Sequence, residues 1–560
     1  MSLDIRNILC QVINTHGKAV AEDSVLCRAL LNDYCHGELQ REIFLLVSAV
    51  DERVATELLN AGKDVPFQLI RMRLIQRLCE LRGIEESLSI WAVETWALAL
   101  CCITKDQLSS LLVKNDSIGT IASPPVLKSL GKIVSSKGDG DFRTITDAIR
   151  DASSGDTISL RPGIYIEDFT IDKPITIRCD GIPGEAVVEG HDGSCIVIET
   201  SGDVKLHGLT IHCNTKFKRE SDFQGMKPME IASKLTPDEC FTSAVLVTQG
   251  NVTVENCTLT SNNFSGFVIL GKDTRALLNG CSIIHCGING AFISESNAIF
   301  TDCKIGKNKC VGLMAGNANV EMVSCKIFEH DNEENAQGIS LFGGSECVIE
   351  ESDIYSCGKG LMTTESCKLV LTNCKVYGCS EVGILFPTNA NGRIRDCEIY
   401  QCGIGVGVGE NSECVIDASE IYGCGKGLMT TESSKLVLTN SKVYQCSDFG
   451  IFFPTNSNGR IRDCEIYQCG IGVGLGENSE AFITTTHIHK CQAFGVACKD
   501  ASKVTITDCK IKNNDGCGVA IKNKSSGSIT GCDMTFNAGG AFDIGFFESL
   551  FNVHRSNNQE

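Results

Sequence analysis

Between residues 39 and 50 the apolar positions Leu39, Ile43, Leu46, Val47 and Val50 recur at i, i+4, i+7, i+8 and i+11. That spacing places them on one face of an α-helix. Gly17, Gly62 and Gly83 stand where helix C-caps are expected, and Pro66 stands where a helix begins. Residues 1–113 therefore read as an all-α domain of about six or seven helices. Its two tryptophans, Trp91 and Trp96 in "SIWAVETWALALCC", are expected in the core. The polar segment "NDSIGTIASPPVLKSLGK" with Pro124-Pro125 predicts a linker over 114–130.

From residue 131 the apolar period changes from helical to alternating. Leu259, Ile283, Ile305, Ile327, Ile354, Val376, Ile399, Ile421, Val443, Ile466, Ile488, Ile511 and Met534 each follow a Cys, Ser or Thr by two. Nearly all of these apolar residues are 22 to 24 apart. A second ladder is pure glycine: Gly266, Gly290, Gly312, Gly338, Gly360, Gly383, Gly405, Gly427, Gly450, Gly472, Gly495, Gly518 and Gly540. One glycine and one aliphatic residue per fixed period predict a solenoid of stacked coils. Residues 346–412 and 413–479 agree at 55 of 67 positions, a duplication of three coils. An array tolerates such copying because each coil contacts only its neighbours.

The segment "DGDFRTITDAIRDASSGDTISLRPGIYIEDFTIDKPITIRCDG" has one short predicted helix, Thr144 to Ala152, followed by strands. Its "TI…AI…A…GD.I.L.PG.Y.E" run resembles the opening of the right-handed parallel β-helix proteins of the pectate-lyase-like superfamily. The resemblance covers residues 131–545 and implies an all-β right-handed parallel β-helix of about 22–23 residues per coil behind the helical domain. The helix would close one end of the stack. Residues 546–560, with the apolar "FFESLFNV", would form a C-terminal cap and tail. The superfamily contains enzymes and non-enzymes, so the resemblance implies a fold more than a reaction.

Candidate chemistry lies in further ladders. Tyr355, Tyr377, Tyr400, Tyr422, Tyr444 and Tyr467 each follow the inward aliphatic residue by one, so they point outward. Such a row either stacks on itself or offers amphipathic rings to a protein or a sugar. His489 continues the row at one end and Phe328 lies near the other. Arg393 and Arg395 recur as Arg460 and Arg462, three coils away, a spacing that suits repeated weak binding. With the tyrosines they form the candidate binding set. The cysteine ladder at Cys257, Cys281, Cys303 and Cys325 is interrupted by Ser352, Ser419, Ser441 and Thr486, which argues against disulfides and metal ligation. "THIHKC" brings His487, His489 and Cys491 together without a fourth ligand, so no metal site and no cofactor are expected. The insertion from Asn214 to Thr242 is the longest interruption and is a candidate lid.

Charge and composition narrow the partners. The net charge of −19 disfavours nucleic acid and anionic lipid. "MSLDIRNILCQVINTHG" has no signal-peptide core, no apolar run is long enough to span a bilayer, and 33 cysteines fit a reducing compartment. A cytoplasmic location is the expectation. No polygalacturonase-like set of paired aspartates, His-Gly and Arg-x-Lys, no pectin-methylesterase-like motif and no clustered aspartates of a pectate lyase are recognisable, so no catalytic residue is named. The expected function is a non-enzymatic scaffold whose rod recognises a protein, as the similar repeats of some F-box proteins do, with the helical domain as adaptor. Self-association of rods is a further option. The alternative is a carbohydrate-active protein: a polysaccharide lyase, hydrolase, esterase-like enzyme or glycan binder.

Overall fold

The computed structural model describes residues 5–217 apart from 22, 36–38, 53, 61–73, 75–77, 79–85 and 101–130, and then 226, 234–330, 336–545 and 553–560. The chain divides into two compact units, 1–126 and 127–560.

In the first unit the described helices are Ile5–His16, Ser24–Tyr34, Gln40–Asp51, Val54–Asn60 and Glu86–Ala99, with a 3₁₀ turn at Lys18–Ala21. Gly17 ends the first of them with φ +83° and donates its amide to the Ile13 carbonyl at 2.9 Å, as expected of a C-cap. Ile43, Leu46, Val47 and Val50 are buried on the predicted face. Trp96 is wholly buried, and its Nε1 donates to the Leu46 carbonyl at 2.9 Å. The expected caps at Gly62 and Gly83, Pro66 and the linker over 114–130 lie outside the described residues. Among the described residues no helix is long and apolar enough to cross a membrane.

The second unit is a β-solenoid of about 17 turns, with about 23 residues per coil. It opens with the strand Gly131–Val134 and the helix Ile145–Asp151, whose Thr144 hydroxyl caps the Asp147 amide at 3.2 Å. Ile145, Ala148 and Ile149 bury that helix on the first coils. Most later coils make three strands, for example Val382–Thr388, Asn391–Arg395 and Glu398–Tyr400. First and second strands join one 32-stranded parallel sheet, and third strands form a separate sheet of 15. The predicted aliphatic ladder is a single register line: Ile354 pairs with Val376, Val376 with Ile399, and Ile399 with Ile421. All four are wholly buried.

The glycine ladder follows from how close the coils approach. A Cβ on Gly405 would lie 2.5 Å from the Gly427 carbonyl oxygen and 2.8 Å from Ile421 Cγ2. On Gly450 it would also come within 3.2 Å of Cys469 Sγ, and on Gly312 within 2.5 Å of His330 Nε2. Each glycine thus clears space for the Cys, Asn or His that the next coil turns inward. Gly540 departs from the ladder. Its φ is +86° with no atom near, and the oxygen facing Gly518 belongs to Ala541.

Corner chemistry explains why Cys, Ser and Thr interchange. The Ser419 hydroxyl accepts from the Cys397 amide at 3.1 Å and donates to the Asp417 carbonyl at 2.8 Å. Cys397 Sγ meets the Cys374 amide at 3.4 Å in the same way. All cysteines among the described residues are free thiols. Burial pushes the Cys347 and Cys498 thiols up to about 12, which leaves them protonated and inert at neutral pH.

At the far end, Val553–Ser556 lies parallel to Ser526–Thr530 and extends the stack. The expected cap and tail therefore contribute a strand, while most of "FFESLFNV" lies outside the described residues. Of the insertion, Phe217 and Leu235 pack on Phe264, Ile288, Cys310 and Val311, an apolar cluster apart from the main core. Residues 218–225 and 227–233 are outside the described part.

Candidate functional site

The six tyrosines lie on the third-strand sheet, one per coil and half-buried. Successive rings are 4.8 to 4.9 Å apart and within 7° of parallel. Phe328 and His489 extend the stack at 5.5 Å and 5.2 Å. Beyond Phe328 its ring covers Gly306, where a Cβ would meet Cζ at 2.7 Å. Every ring from Tyr355 to Tyr467 therefore has both faces against a neighbour, and only edges and hydroxyls face outward. Sugar stacking needs an open face, so the row cannot bind a glycan in that way. The Tyr422 and Tyr444 hydroxyls reach Glu398 and Glu420 at 3.4 Å and 3.1 Å. Burial first, then Glu398 alongside, pushes the Tyr422 hydroxyl up to about 12. Replacing Tyr400 by alanine opens two ring faces at once. It is expected to cost about 2–4 kcal/mol, whereas Tyr400→Phe should stay within about 0.5 kcal/mol, read by thermal melting of the two variants.

The four arginines lie on second strands, in the other sheet from the tyrosines. Arg393 stands in register between Val370 and Val415. Arg460 is 5.9 Å over the Phe482 ring. Arg395 and Arg462 each pair with the following corner residue, Asp396 at 3.2 Å and Asp463 at 3.3 Å. The structure does not bring the tyrosine and arginine sets into one site.

The outward side of the first strands carries a row that the sequence reading did not single out. It runs in register from Leu246 through Val268, Phe292, Met314, Ser340, Met362, Leu385, Gly407, Met429 and Phe452 to Gly474 and Ala497. No position in it is titratable. Leu385 leans over Gly407, where a Cβ would meet Cδ1 at 2.9 Å, and Phe449 and Phe452 stack at 4.2 Å beside Gly474. The corner bordering this row is acidic and exposed: Glu295, Glu365, Glu410, Glu432, Glu477 and Asp500. Among the described residues none of these six is in an ion pair, while the opposite border pairs Lys359 with Glu381 at 2.9 Å and Lys426 with Asp448 at 3.2 Å. The signal was hidden because "GLMT" and "GILFPT" read as continuous apolar runs in which inward and outward positions look alike.

Two further features are polar. A cleft of about 670 Å³ lies between early coils and the insertion, lined by His191, Asp192, Glu199, Lys216, Phe241 and Phe264 among others. On the third-strand sheet, Glu465, His487 and His489 bring one ligand atom each within 4.8 Å of one another. Cys491 does not join them, since it is buried inside the coil with Sγ 3.7 Å from the His489 carbonyl.

Comparison with known proteins bears on the fold. The family profile of the right handed beta helix region matches residues 187–333, 243–385, 337–475 and 437–559. No curated protein matches the chain. Among solved structures it is similar to pectin methylesterase PemA from Erwinia chrysanthemi, at 14% identity over 48% of this chain and 81% of that one, with a TM-score of 0.28. The periplasmic alginate epimerase AlgG matches at 13% identity over 74% and 82%, with a TM-score of 0.32. The A-module of the Azotobacter vinelandii mannuronan C-5 epimerase AlgE4 matches at 12% over 74% and 91%, with a TM-score of 0.31. Likenesses of this size carry no argument about chemistry.

Proposed function

Because the chain belongs to the right-handed β-helix family, we propose that its solenoid is a docking rod for a partner protein, bound along the outward row of the first strands. The observation that carries this reading is the apolar line Phe292, Met314, Met362, Leu385, Met429 and Phe452 beside an unneutralised acidic corner. Such a face fits a segment that is apolar on one side and basic on the other. Burying each outward side chain contributes up to about 1.5–3 kcal/mol. Glu365, Glu410, Glu432 and Glu477 select for lysine and arginine and speed encounter. In this reading the stacked tyrosines stiffen the opposite sheet, and the protein works in a reducing compartment that keeps its cysteines as thiols.

The test uses the full chain with a photo-crosslinking residue at position 385 or, for comparison, at position 437 on the second strands. Crosslinked peptides rich in apolar and basic residues at 385 only are expected. The Leu385→Glu, Phe452→Glu double variant should weaken binding at least about 100-fold while leaving the fold intact, because both side chains face outward. Equal crosslinking at 437, or undiminished binding by the double variant, overturns the reading.

A second reading rests on the cleft at the insertion, where Asp192, Glu199 and Lys216 stand beside Phe241 and Phe264. Polar groups next to aromatic rings suit a carbohydrate. Calorimetric titration with oligosaccharides would favour it if binding were lost in Asp192→Asn and kept in the double variant.

A further inference from the structure

His487 and His489 flank the inward Ile488 on one third strand, so both imidazoles project outward from the same face. Glu465 pairs with His487 in register from the preceding coil. The two rings stack at 4.1 Å and 26°, and His489 Nε2 lies 3.1 Å from Glu465 Oε1. His487 Nε2 is buried with no hydrogen-bond partner, which leaves a neutral donor atom aimed at nothing. A cavity of about 470 Å³ opens there, lined by Glu465, His487, Asp463, Asp508, Lys442 and Lys510 among others.

We propose that Glu465, His487 and His489 bind one divalent transition-metal ion of the zinc class, with water completing its coordination. Two imidazoles and one carboxylate form a borderline donor set of the kind zinc accepts, and three protein ligands leave a position open. Drawing the donors onto one ion at about 2.0–2.2 Å requires side-chain rotation only, because the strand register already holds the three residues together. The ion occupies the lone pair that His487 leaves unused.

The charged surroundings set limits on the ion. Lys510 and Lys512 face His487 and His489 from the next coil, and Lys512 is neutralised by Asp533 at 2.9 Å. Lys442 is held by Glu420 at 2.8 Å. Asp463 and Asp508 border the cavity and add negative charge.

The duplicated unit supplies an internal comparison. Sixty-seven residues earlier the same framework carries Glu398, Glu420 and Tyr422, and there a tyrosine hydroxyl meets the carboxylate at 3.4 Å. Two exchanges in the coil that follows the second copy, His for Glu and His for Tyr, convert a structural contact into a donor cluster. His489 also ends the ring stack against Tyr467 at 5.2 Å, which fixes its plane. The site lies on a different sheet from the docking row and stands independently of that reading.

The metal-stripped full chain is titrated with cobalt(II) and then with zinc. One cobalt per chain is expected, with visible d–d bands, no thiolate charge-transfer band, and displacement by one zinc equivalent. His489→Tyr continues the tyrosine stack and so preserves the fold. It should weaken cobalt and zinc binding at least a hundredfold, and Glu465→Gln, which keeps the side-chain shape, at least tenfold. Glu398→Gln, at the matching place in the first copy, should change nothing. Absence of the visible bands in the wild type, a thiolate band, or equal binding by Glu465→Gln and His489→Tyr overturns the proposal.

Discussion

Replacing Gly405 by alanine is expected to destabilise its coil by about 3 kcal/mol or more, although the substitution adds a single methyl group. The added Cβ would stand 2.5 Å from the Gly427 carbonyl oxygen and 2.8 Å from Ile421 Cγ2. A flexible side chain could swing away from such an intrusion. The Gly427 carbonyl cannot, because it belongs to a backbone held in the sheet on both sides, and moving it breaks parallel hydrogen bonds. Overpacking against side chains costs about 1–3 kcal/mol, and here the obstacle is main chain. Gly344→Ala is the comparison: its φ is +81° and no atom lies within 4 Å of the new Cβ. That change meets only a backbone preference of about 1 kcal/mol. Coils in an array are coupled to their neighbours, so the loss should be local. Native-state hydrogen exchange would show faster opening across residues 382–430 in Gly405→Ala, and little change over 503–530. Equal protection in Gly405→Ala and Gly344→Ala would mean that the coils can part by several tenths of an ångström without losing register.

This glycine row illustrates what the sequence revealed and what it withheld. The period, the inward aliphatic ladder, the opening helix and the parallel coil were legible because each repeats with the stack. Three ladders that recur every 22 to 24 residues outweigh the ambiguity of any one short strand. The outward rows were harder. The tyrosines attracted notice by identity, yet their faces turn out to be consumed by each other, a fact that depends on the 4.8 Å coil spacing. The first-strand row escaped because its members, among them Met362, Leu385, Met429 and Phe452, are of mixed residue types and sit in strands apolar on both sides. "THIHKC" presented two donors, but the third, Glu465, is 22 residues away in the chain and adjacent only in register. Ladder positions could be read along the sequence, whereas cross-coil partners required the register.

His330 is expected to make its region of the rod acid-sensitive. It occupies the inward position held by Asn308 one coil earlier and Cys357 one coil later, and it is almost wholly buried. Neither ring nitrogen makes a hydrogen bond. Burial holds the imidazole down at about 4, with the Asn308 backbone opposing only part of the effect. The ordinary value, regained on unfolding, is about 6.5. Between those two values the unfolded chain takes up a proton that the folded chain refuses. The contribution to stability is therefore complete above about pH 6.5 and is lost as pH falls toward 4, by about 1.4 kcal/mol per unit. At pH 4.5 the loss amounts to about 2 kcal/mol relative to pH 7. His330→Asn removes the titration and retains a residue the ladder already uses. At equivalent positions Asn308 accepts from the Cys286 amide at 2.9 Å and donates to the Ile283 carbonyl at 3.4 Å, and Asn514 accepts from the Cys491 amide at 3.0 Å and donates to the Ile488 carbonyl at 3.5 Å, so an asparagine at 330 is expected to be satisfied in the same way. Urea unfolding of wild type and His330→Asn at pH 7 and pH 4.5 checks this, with each protein compared only with itself. The wild type should lose about 2 kcal/mol more than the variant between the two conditions. His487, also held low, titrates in both proteins and cancels in the difference. Equal losses would mean that the His330 ring gains a proton inside the folded coil, at a position that is almost wholly buried.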